Sequence, residues 1–168
     1  MYNVQFTMKT KKYTLRKREK FIVESIYNLV QCLKQSDKTI AIMESCTGGG
    51  LANQITNIEG SSEVFKVGIV AYSTEAKIKM GVSKDTIERY SVYSMAVAKE
   101  MARAAANFLE STFGIGITGQ IEAKAYVAIY SSCNSQYYEI EINLENGNRG
   151  KNKEMIINKI AQKLTEII

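Results

Sequence analysis

Apolar residues follow two different spacings along the chain, and together they predict a fold in which helices and strands interleave. Helical spacing predicts an amphipathic helix near each end of the sequence, over 15–34 and 151–167. Continuous β-branched or valine-rich runs predict strands at 39–43, 65–72, 113–118, 125–131 and 136–143. Short helices are predicted at 50–57, 74–80 and 83–90.

The longest internal helix is predicted over 95–110, because an alanine-rich stretch follows Ser94, a favourable N-cap residue. Its spacing predicts burial of Val97, Met101, Ala104, Ala105 and Phe108. Helices alternate with the early strands, whereas the last strands follow one another around a hairpin turn at 132–135. This order predicts an α/β domain with one mixed sheet of about five or six strands, covered by helices on both faces.

The net charge of +5 is concentrated at the N-terminus. Residues 1–20 carry seven lysines and arginines and one glutamate, so the rest of the chain is close to neutral. A nucleic-acid-binding domain spreads its basic residues over a folded face, and this distribution instead indicates a solvated extension. We therefore expect a basic extension at 1–14, a single domain at 15–168, and no nucleic-acid partner.

Cysteine and histidine content limits the kinds of site that the chain can build. The three cysteines are far apart and there is no histidine, so the usual zinc sites cannot form. No apolar run reaches the roughly 18 residues of a membrane span, and the N-terminus lacks the apolar core of a signal peptide. We expect a cytoplasmic protein with reduced thiols and no membrane partner.

The strongest candidate for a functional site is the segment 44–49, Glu-Ser-Cys-Thr-Gly-Gly, between a predicted strand and a predicted helix. Ligands of open α/β sheets bind at the carboxyl ends of strands, and glycines let a ligand approach the backbone closely. Free N–H groups at the start of the helix suit a phosphate or a developing oxyanion. The same residues also fit an ordinary turn in which Ser45 or Thr47 caps the helix.

Without histidine a Ser-His-Asp triad is excluded, and lysine is the known substitute for its base. Lys77 is the candidate, because it follows the strand predicted to end at Tyr72, whereas Lys79 should point elsewhere. A lysine base must be neutral, and lowering its pKa from about 10.4 to about 7 requires roughly 4–5 kcal/mol of differential solvation. The residues alone leave open that Lys77 is an ordinary solvated lysine. Cys46 is a rival nucleophile that the helix N-terminus could acidify, but it has no imidazole partner and ranks below Ser45.

A third strand end, at Thr118 and Gly119, is expected at the same edge of the sheet. It would bring backbone N–H groups and the Thr118 hydroxyl to the site. A turn glycine after a core strand explains the same residues without any function.

Three segments, in this order and spacing, resemble the CinA C-terminal family, the nicotinamide-nucleotide amidases. They are the loop at 42–49, the stretch 60–77 that ends in Ala-Tyr-Ser-Thr-Glu-Ala-Lys, and Ser94 with 97–102 followed by Gly-Ile-Thr-Gly at 116–119. The Asn-Arg pair at 148–149 resembles the family as well. The resemblance covers roughly residues 15–167 and implies a three-layer α/β/α sandwich that usually forms homodimers.

The resemblance also implies an activity: hydrolysis of the carboxamide of nicotinamide mononucleotide to nicotinate mononucleotide and ammonia, with no metal or cofactor. The family's serine and lysine fall on Ser45 and Lys77, so that the serine would attack the amide carbon and the lysine would take its proton. The residues expected to bind substrate or to stabilise the oxyanion are Thr47, Gly48, Gly49, Tyr72, Thr118 and Gly119.

The segment after Gly119 departs from the family pattern. Family members carry a longer stretch with Ala-Gly-Pro and further glycines, whereas this chain passes through Gln-Ile-Glu-Ala-Lys directly into the next strand. The residues before Ser94 are Ser-Val-Tyr in place of Gly-Ala-Val. Since the longer loop is expected to help form the substrate pocket, the alternative function is a catalytically impaired relative that binds a nucleotide or a protein.

Overall fold

The described part of the protein is one mixed sheet with helices on both faces, as the sequence predicts. The computed structural model describes residues 17–168, with side chains from Ile22 onward, so the extension predicted at 1–14 lies outside the described residues. The strands are β1 (Ile40–Glu44), β2 (Phe65–Val70), β3 (Phe113–Gln120), β4 (Lys124–Ser131) and β5 (Gln136–Asn143). The helices are α1 (Lys17–Gln35), α2 (Gly50–Thr56), α3 (Thr74–Lys79), α4 (Lys84–Tyr90), α5 (Met95–Phe108) and α6 (Arg149–Ile167). Within residues 17–168, no helix has both the length and the apolar character needed to cross a membrane.

The strand order is β2-β1-β3-β4-β5. β1 lies between β2 and β3 and is parallel to both, as expected for strands that are connected through helices. β3, β4 and β5 pair in antiparallel fashion, and a hairpin at the predicted position joins β4 to β5. The carboxyl ends of β1, β2 and β3 therefore meet at one edge of the sheet, where Glu44 is level with Val70 and Ile117.

One face of the sheet packs against α1, α2 and α6 through large aliphatic side chains. Successive side chains of a strand point to opposite faces, so alternate residues of β1 and β3 contribute to this core. Its fully buried strand residues include Ile40, Ile42, Ile115 and Ile117. Burial of these isoleucines contributes strongly to the hydrophobic stabilisation of the domain.

The opposite face packs against α5 and is built from small residues. A Cβ on Gly114 would lie 1.9 Å from the Ala102 carbonyl oxygen, and one on Gly116 would lie 2.1 Å from the Ala98 carbonyl oxygen. Ala98 and Ala102 are fully buried and contact Ala128 of β4. The backbone of α5 therefore lies closer to β3 than any residue with a side chain at these two positions would allow.

This close fit explains why the burial expected for α5 is partly wrong. The spacing predicts that Phe108 is buried, but its side chain is 60% exposed, and Ala104 is only partly buried. The helix turns its alanine side toward the glycines of β3, and Phe108, in its last turn, is on the exposed side. It ends at Phe108, two residues before the predicted end.

β2 also ends two residues early, before Tyr72. The N–H of Ala71 still donates to the Glu44 carbonyl at 2.8 Å, but the chain then turns into α3. Ser73 caps that helix, since its hydroxyl accepts from the N–H of Ala76. The carbonyls of Ala71 and Tyr72 are left at the edge of the sheet, outside the strand pairing.

A tight turn joins β3 to β4. The N–H of Ala123 donates to the Gln120 carbonyl at 2.9 Å, which makes 120–123 a β-turn. Strand pairing is continuous up to Gln120 and Lys124. The direct passage into the next strand that the sequence indicates after Gly119 is therefore confirmed, and the turn lies at the edge where β1 and β2 end.

We predict that replacing Gly116 by alanine destabilises the fold strongly, because both the added Cβ and the carbonyl it meets belong to rigid elements. Gly116→Ala should lower the free energy of unfolding by at least about 2 kcal/mol, measured by urea denaturation. Gly150→Ala is the matched control: a Cβ there meets nothing within 4 Å, so its effect should be neutral or slightly stabilising. Equal stability of the two variants would contradict the close packing of α5.

Candidate active site

Glu44, the last residue of β1, caps the helix that follows it. Its side chain is 1% exposed, and its carboxylate accepts from the backbone N–H of Leu51 at 3.2 Å and of Ala52 at 2.9 Å. A carboxylate at this position is also favoured by the positive end of the helix dipole. The alternative in which Ser45 or Thr47 caps the helix is therefore wrong.

Two glycines give the loop between β1 and α2 its shape. Gly48 and Gly49 have φ angles of 63° and 86°, in the left-handed region where most residues with a side chain are strained. The N–H of Gly48 donates to the Ser45 carbonyl at 3.0 Å, which closes a tight turn. The turn leads the chain into α2 and leaves Ser45 at the carboxyl end of β1.

Ser45 and Lys77 are in hydrogen-bond contact. The Ser45 Oγ and the Lys77 Nζ are 2.9 Å apart, although 32 residues separate them in sequence. Ser45 is 5% exposed and Lys77 is 1% exposed, so solvent is largely excluded from the pair. Lys77 is thus a buried residue, and the alternative of an ordinary solvated lysine is wrong.

Two backbone carbonyls beyond the end of β2 complete the surroundings of the Lys77 amine. Its Nζ donates to the Ala71 carbonyl at 2.8 Å and, more weakly, to the Tyr72 carbonyl at 3.4 Å. Burial lowers the pKa of Lys77 below its ordinary value of 10.5, because the charged ammonium loses hydration, and the neighbouring Cys46 opposes this shift.

These three contacts match the bonding capacity of a neutral amine. Such an amine has two N–H donors and one lone pair. When the Ala71 and Tyr72 carbonyls accept the two N–H groups, the lone pair is free to accept the proton of the Ser45 hydroxyl. This is the arrangement that a general base requires toward its nucleophile.

Cys46 and Lys79, the alternatives to Ser45 and Lys77, have surroundings that do not suit catalysis. Burial raises the pKa of the Cys46 thiol to about 11, so burial outweighs any acidification by the helix and the thiol stays protonated at neutral pH. Lys79 is exposed and its Nζ lies 2.8 Å from a carboxylate oxygen of Glu75. The expectation that Lys79 points away from the site is confirmed.

A cavity of about 440 Å³ opens beside Ser45. This volume falls within the range of small-molecule sites. The wall comprises Ser45, Cys46, Tyr72, Tyr93, the segment 119–123 and Arg149. The cavity therefore lies between the end of β1, the β3–β4 turn and the start of α6.

Two of the six residues predicted to contact the substrate are found in the cavity wall. Tyr72 and Gly119 line the cavity. Within residues 17–168, the other four predicted residues are not part of its wall: Thr47, Gly48, Gly49 and Thr118.

Thr118 has a structural contact of its own. Its side chain is fully buried, and its hydroxyl donates to the Val92 carbonyl at 2.9 Å. It thereby fixes the segment that carries Tyr93 into the cavity wall. The Thr47 hydroxyl is also buried, and among the described residues it has no hydrogen-bond partner.

Tyr93, Glu122 and Arg149 line the cavity, although none of them is predicted as a site residue. Tyr93 and Glu122 occur in the two segments in which the sequence departs from the family pattern. That departure was the available signal, because neither residue has a motif of its own. Arg149 was noticeable only as part of the Asn-Arg pair in the family resemblance.

Comparison with known sequences gives one family. The model of the CinA C-terminal domain matches residues 23–165. A putative competence-damage inducible protein of Thermoanaerobacter sp. (strain X514) is 45% identical over 92 residues, which are 54% of this chain and 22% of the relative. Another of Caldicellulosiruptor saccharolyticus is 40% identical over 117 residues, 66% of this chain and 28% of the relative. The chain thus spans about a quarter of the length of these curated relatives.

Solved structures share the fold. A competence-damaged protein (CinA) superfamily protein from Escherichia coli has a TM-score of 0.82 at 25% identity, over 94% of this chain and 96% of that one. The competence/damage inducible protein CihA from Agrobacterium tumefaciens has a TM-score of 0.83 at 23% identity, over 88% and 95% of the two chains. The α/β fold expected from the sequence is confirmed.

We predict that Glu44 is needed for stability through its two backbone acceptor contacts. Glu44→Ala leaves two N–H groups without their acceptors and should lower the free energy of unfolding by about 1–3 kcal/mol. Glu44→Gln keeps an acceptor oxygen and should lose clearly less. Glu59→Ala, at an exposed position beyond α2, is the control for loss of a carboxylate. If Glu44→Ala matched this control in urea denaturation, the capping role would be refuted.

The lowered pKa of Lys77 predicts a pH dependence of stability. Between its folded pKa and the ordinary value of 10.5, the unfolded chain binds more protons than the folded one. The stability of the parent protein relative to Lys77→Met should therefore rise with pH across this window. Urea denaturation at several pH values between 7 and about 10 measures the difference, with the exposed Lys79→Met as control. A flat or falling difference for Lys77→Met would contradict the lowered pKa.

Proposed function

Because the chain belongs to the CinA C-terminal domain family, we propose that it is an amidohydrolase that converts nicotinamide mononucleotide to nicotinate mononucleotide and ammonia. The observation that carries the proposal is the buried contact of 2.9 Å between Ser45 Oγ and Lys77 Nζ. A serine with a lysine base needs no histidine, and this chain has none.

Acylation starts from the neutral form of Lys77. The Ser45 Oγ attacks the carboxamide carbon while its proton passes to the Lys77 Nζ, which gives a tetrahedral oxyanion and an ammonium. When the carbon–nitrogen bond breaks, Lys77 returns that proton to the leaving nitrogen, and ammonia departs. The remaining acyl group is bound to Ser45 as an ester.

Deacylation uses the same two residues, with water as the nucleophile and the Ser45 oxygen as the leaving group. Lys77, neutral again, takes a proton from a water molecule that attacks the ester carbon. The carbon–oxygen bond to Ser45 then breaks, and the serine oxygen recovers its proton from Lys77. The products are the carboxylic acid and the original pair, so that protons balance over the cycle.

The loop after Ser45 is the source of oxyanion donors in this proposal. The N–H of Gly48 is engaged by the Ser45 carbonyl at 3.0 Å, so it is a poor candidate unless that turn opens. Among the hydrogen bonds of the described residues, none uses the N–H of Thr47 or Gly49. These two N–H groups, with the unpaired Thr47 hydroxyl, are the donors we assign to the developing charge. Because neither residue forms part of the cavity wall, this assignment requires the loop to move toward Ser45 when the substrate binds.

The cavity has side chains that suit a pyridinium nucleotide. Tyr72 and Tyr93 are 65% and 43% exposed, and their rings offer aromatic faces to a cationic ring. Arg149 is the guanidinium on the wall, a group that binds phosphate well. These features support the family's substrate and leave room for related amides.

We predict that turnover depends on Ser45 and Lys77 together. Release of ammonia from nicotinamide mononucleotide should fall about 10³-fold or more in Ser45→Ala and in Lys77→Met. Lys79→Met removes an exposed lysine two residues away and should retain the parent rate. The measurement is an ammonia-release assay on purified proteins whose folding has been checked by circular dichroism.

Two results would overturn the proposal. One is equal turnover by the parent and Ser45→Ala, which would remove the serine from the mechanism. The other is a folded parent that binds nicotinamide mononucleotide without releasing ammonia. That outcome would favour the alternative, a family member that binds a nucleotide and does not hydrolyse it.

A further inference from the structure

The short β3–β4 turn brings a carboxylate into the cavity. Glu122 is in the middle of the turn and lines the cavity together with Arg149. A carboxylate oxygen of Glu122 lies 3.7 Å from a guanidinium nitrogen of Arg149, and the two side chains are 42% and 54% exposed. The cation on the cavity wall therefore has an anionic partner before any ligand binds.

Hydrogen bonds on both sides of Glu122 fix its place. The Ile121 carbonyl accepts from the Nδ2 of Asn152, a fully buried residue of α6, at 2.7 Å. The Ala123 carbonyl accepts from the N–H of Leu144 at 2.8 Å. Because the main chain is held before and after it, the backbone of Glu122 stays at the cavity wall unless these contacts break.

The same buried amide connects the turn to the segment before α6. Asn152 Nδ2 also donates to the Glu145 carbonyl at 2.6 Å, and its Oδ1 accepts from the Glu145 N–H at 3.3 Å. Asn152 and Arg149 are close together on α6. The helix that supplies the cation thus also holds the turn that supplies the carboxylate.

The charged residues of the cavity wall favour some ligands over others. Among the described residues, 17–168, the charged side chains that line the wall are Glu122 and Arg149, and their formal charges cancel. A phosphate monoester carries close to two negative charges at neutral pH. It must compete with Glu122 for Arg149 and is repelled by the carboxylate, whereas a pyridinium ring without phosphate is attracted.

We propose that Glu122 is a specificity-determining residue that weakens the preference of this cavity for a phosphate monoester over the same aromatic amide without its phosphate. The proposal rests on the amidase function given above, and it names the substrate class more closely: the cationic nucleoside amide is accepted beside its phosphate. The probes are nicotinamide mononucleotide and nicotinamide riboside, which differ only in that phosphate.

Binding is measured first, in Ser45→Ala protein, where turnover cannot consume the ligand. Calorimetry gives the dissociation constants of both probes with and without Glu122→Gln. We expect Glu122→Gln to increase the preference for the phosphorylated probe by about 3–10-fold, through tighter binding of that probe. The increase should shrink in roughly 0.5 M salt, because the charges are partly exposed.

Glu166→Gln is the matched control. It makes the same charge change at the other end of α6, where Glu166 pairs with Lys163 at 3.2 Å, and it should leave the preference unchanged. An unchanged or reduced preference in Glu122→Gln would overturn the proposal, as would an equal shift in the control. Failure of both probes to bind either protein would also overturn it.

The ratio of kcat/KM for the two probes is then measured in protein that retains Ser45. A shifted binding preference without turnover of either probe would refute the amidase function and leave the role of Glu122 standing. Turnover of both probes with the same ratio in the parent and in Glu122→Gln would refute the role of Glu122 and leave the amidase function standing.

Discussion

The candidate site depends on one buried contact, the hydrogen bond between the Lys77 amine and the Ser45 hydroxyl. Burying a lysine is unfavourable unless its polar atoms find partners. Here those partners are the hydroxyl and two main-chain carbonyls, none of which carries a charge. A carboxylate in their place would favour the ammonium form, so the choice of neutral acceptors is what makes a neutral amine accessible.

Several features of the fold serve this contact. The parallel arrangement of β1 and β2 puts the residue after β1 beside the residues after β2. Glu44 satisfies the first turn of α2, so the hydroxyl of Ser45 is not used as a cap. On the far side, the glycines of β3 let α5 lie against the sheet, and Thr118 at the end of β3 fixes the segment before that helix. The site is thus positioned by elements from both faces.

The sequence was sufficient for the order of elements and the mixed sheet, because periodicity restricts the choices severely. The pairing of Ser45 with Lys77 followed from the family resemblance, since the missing histidine made a lysine base the substitute but the residues alone left an ordinary solvated lysine open. The sequence was not sufficient for Phe108, since burial there is decided by the glycines of β3 under a different part of α5. The roles of Glu44 and Asn152 could not be predicted from the sequence either. Each side chain bonds to backbone groups seven or more residues away, and no local pattern specifies such contacts. For Glu122, the departure of its segment from the family pattern was the available signal, and the tight β3–β4 turn is what puts the residue in the cavity wall.

The position of β2 in the sheet has a consequence for how the proposed activity is lost. Within residues 17–168, β2 has β1 as its single neighbour, and the carbonyls that hold the amine follow directly after β2. If this edge strand frays, water reaches Lys77, the ammonium becomes favourable again and the base is lost. None of the fully buried residues of the isoleucine core lies in β2, which contacts that core through the partly buried Phe65. Local fluctuation of one outer strand can therefore switch the chemistry off while the rest of the domain stays folded.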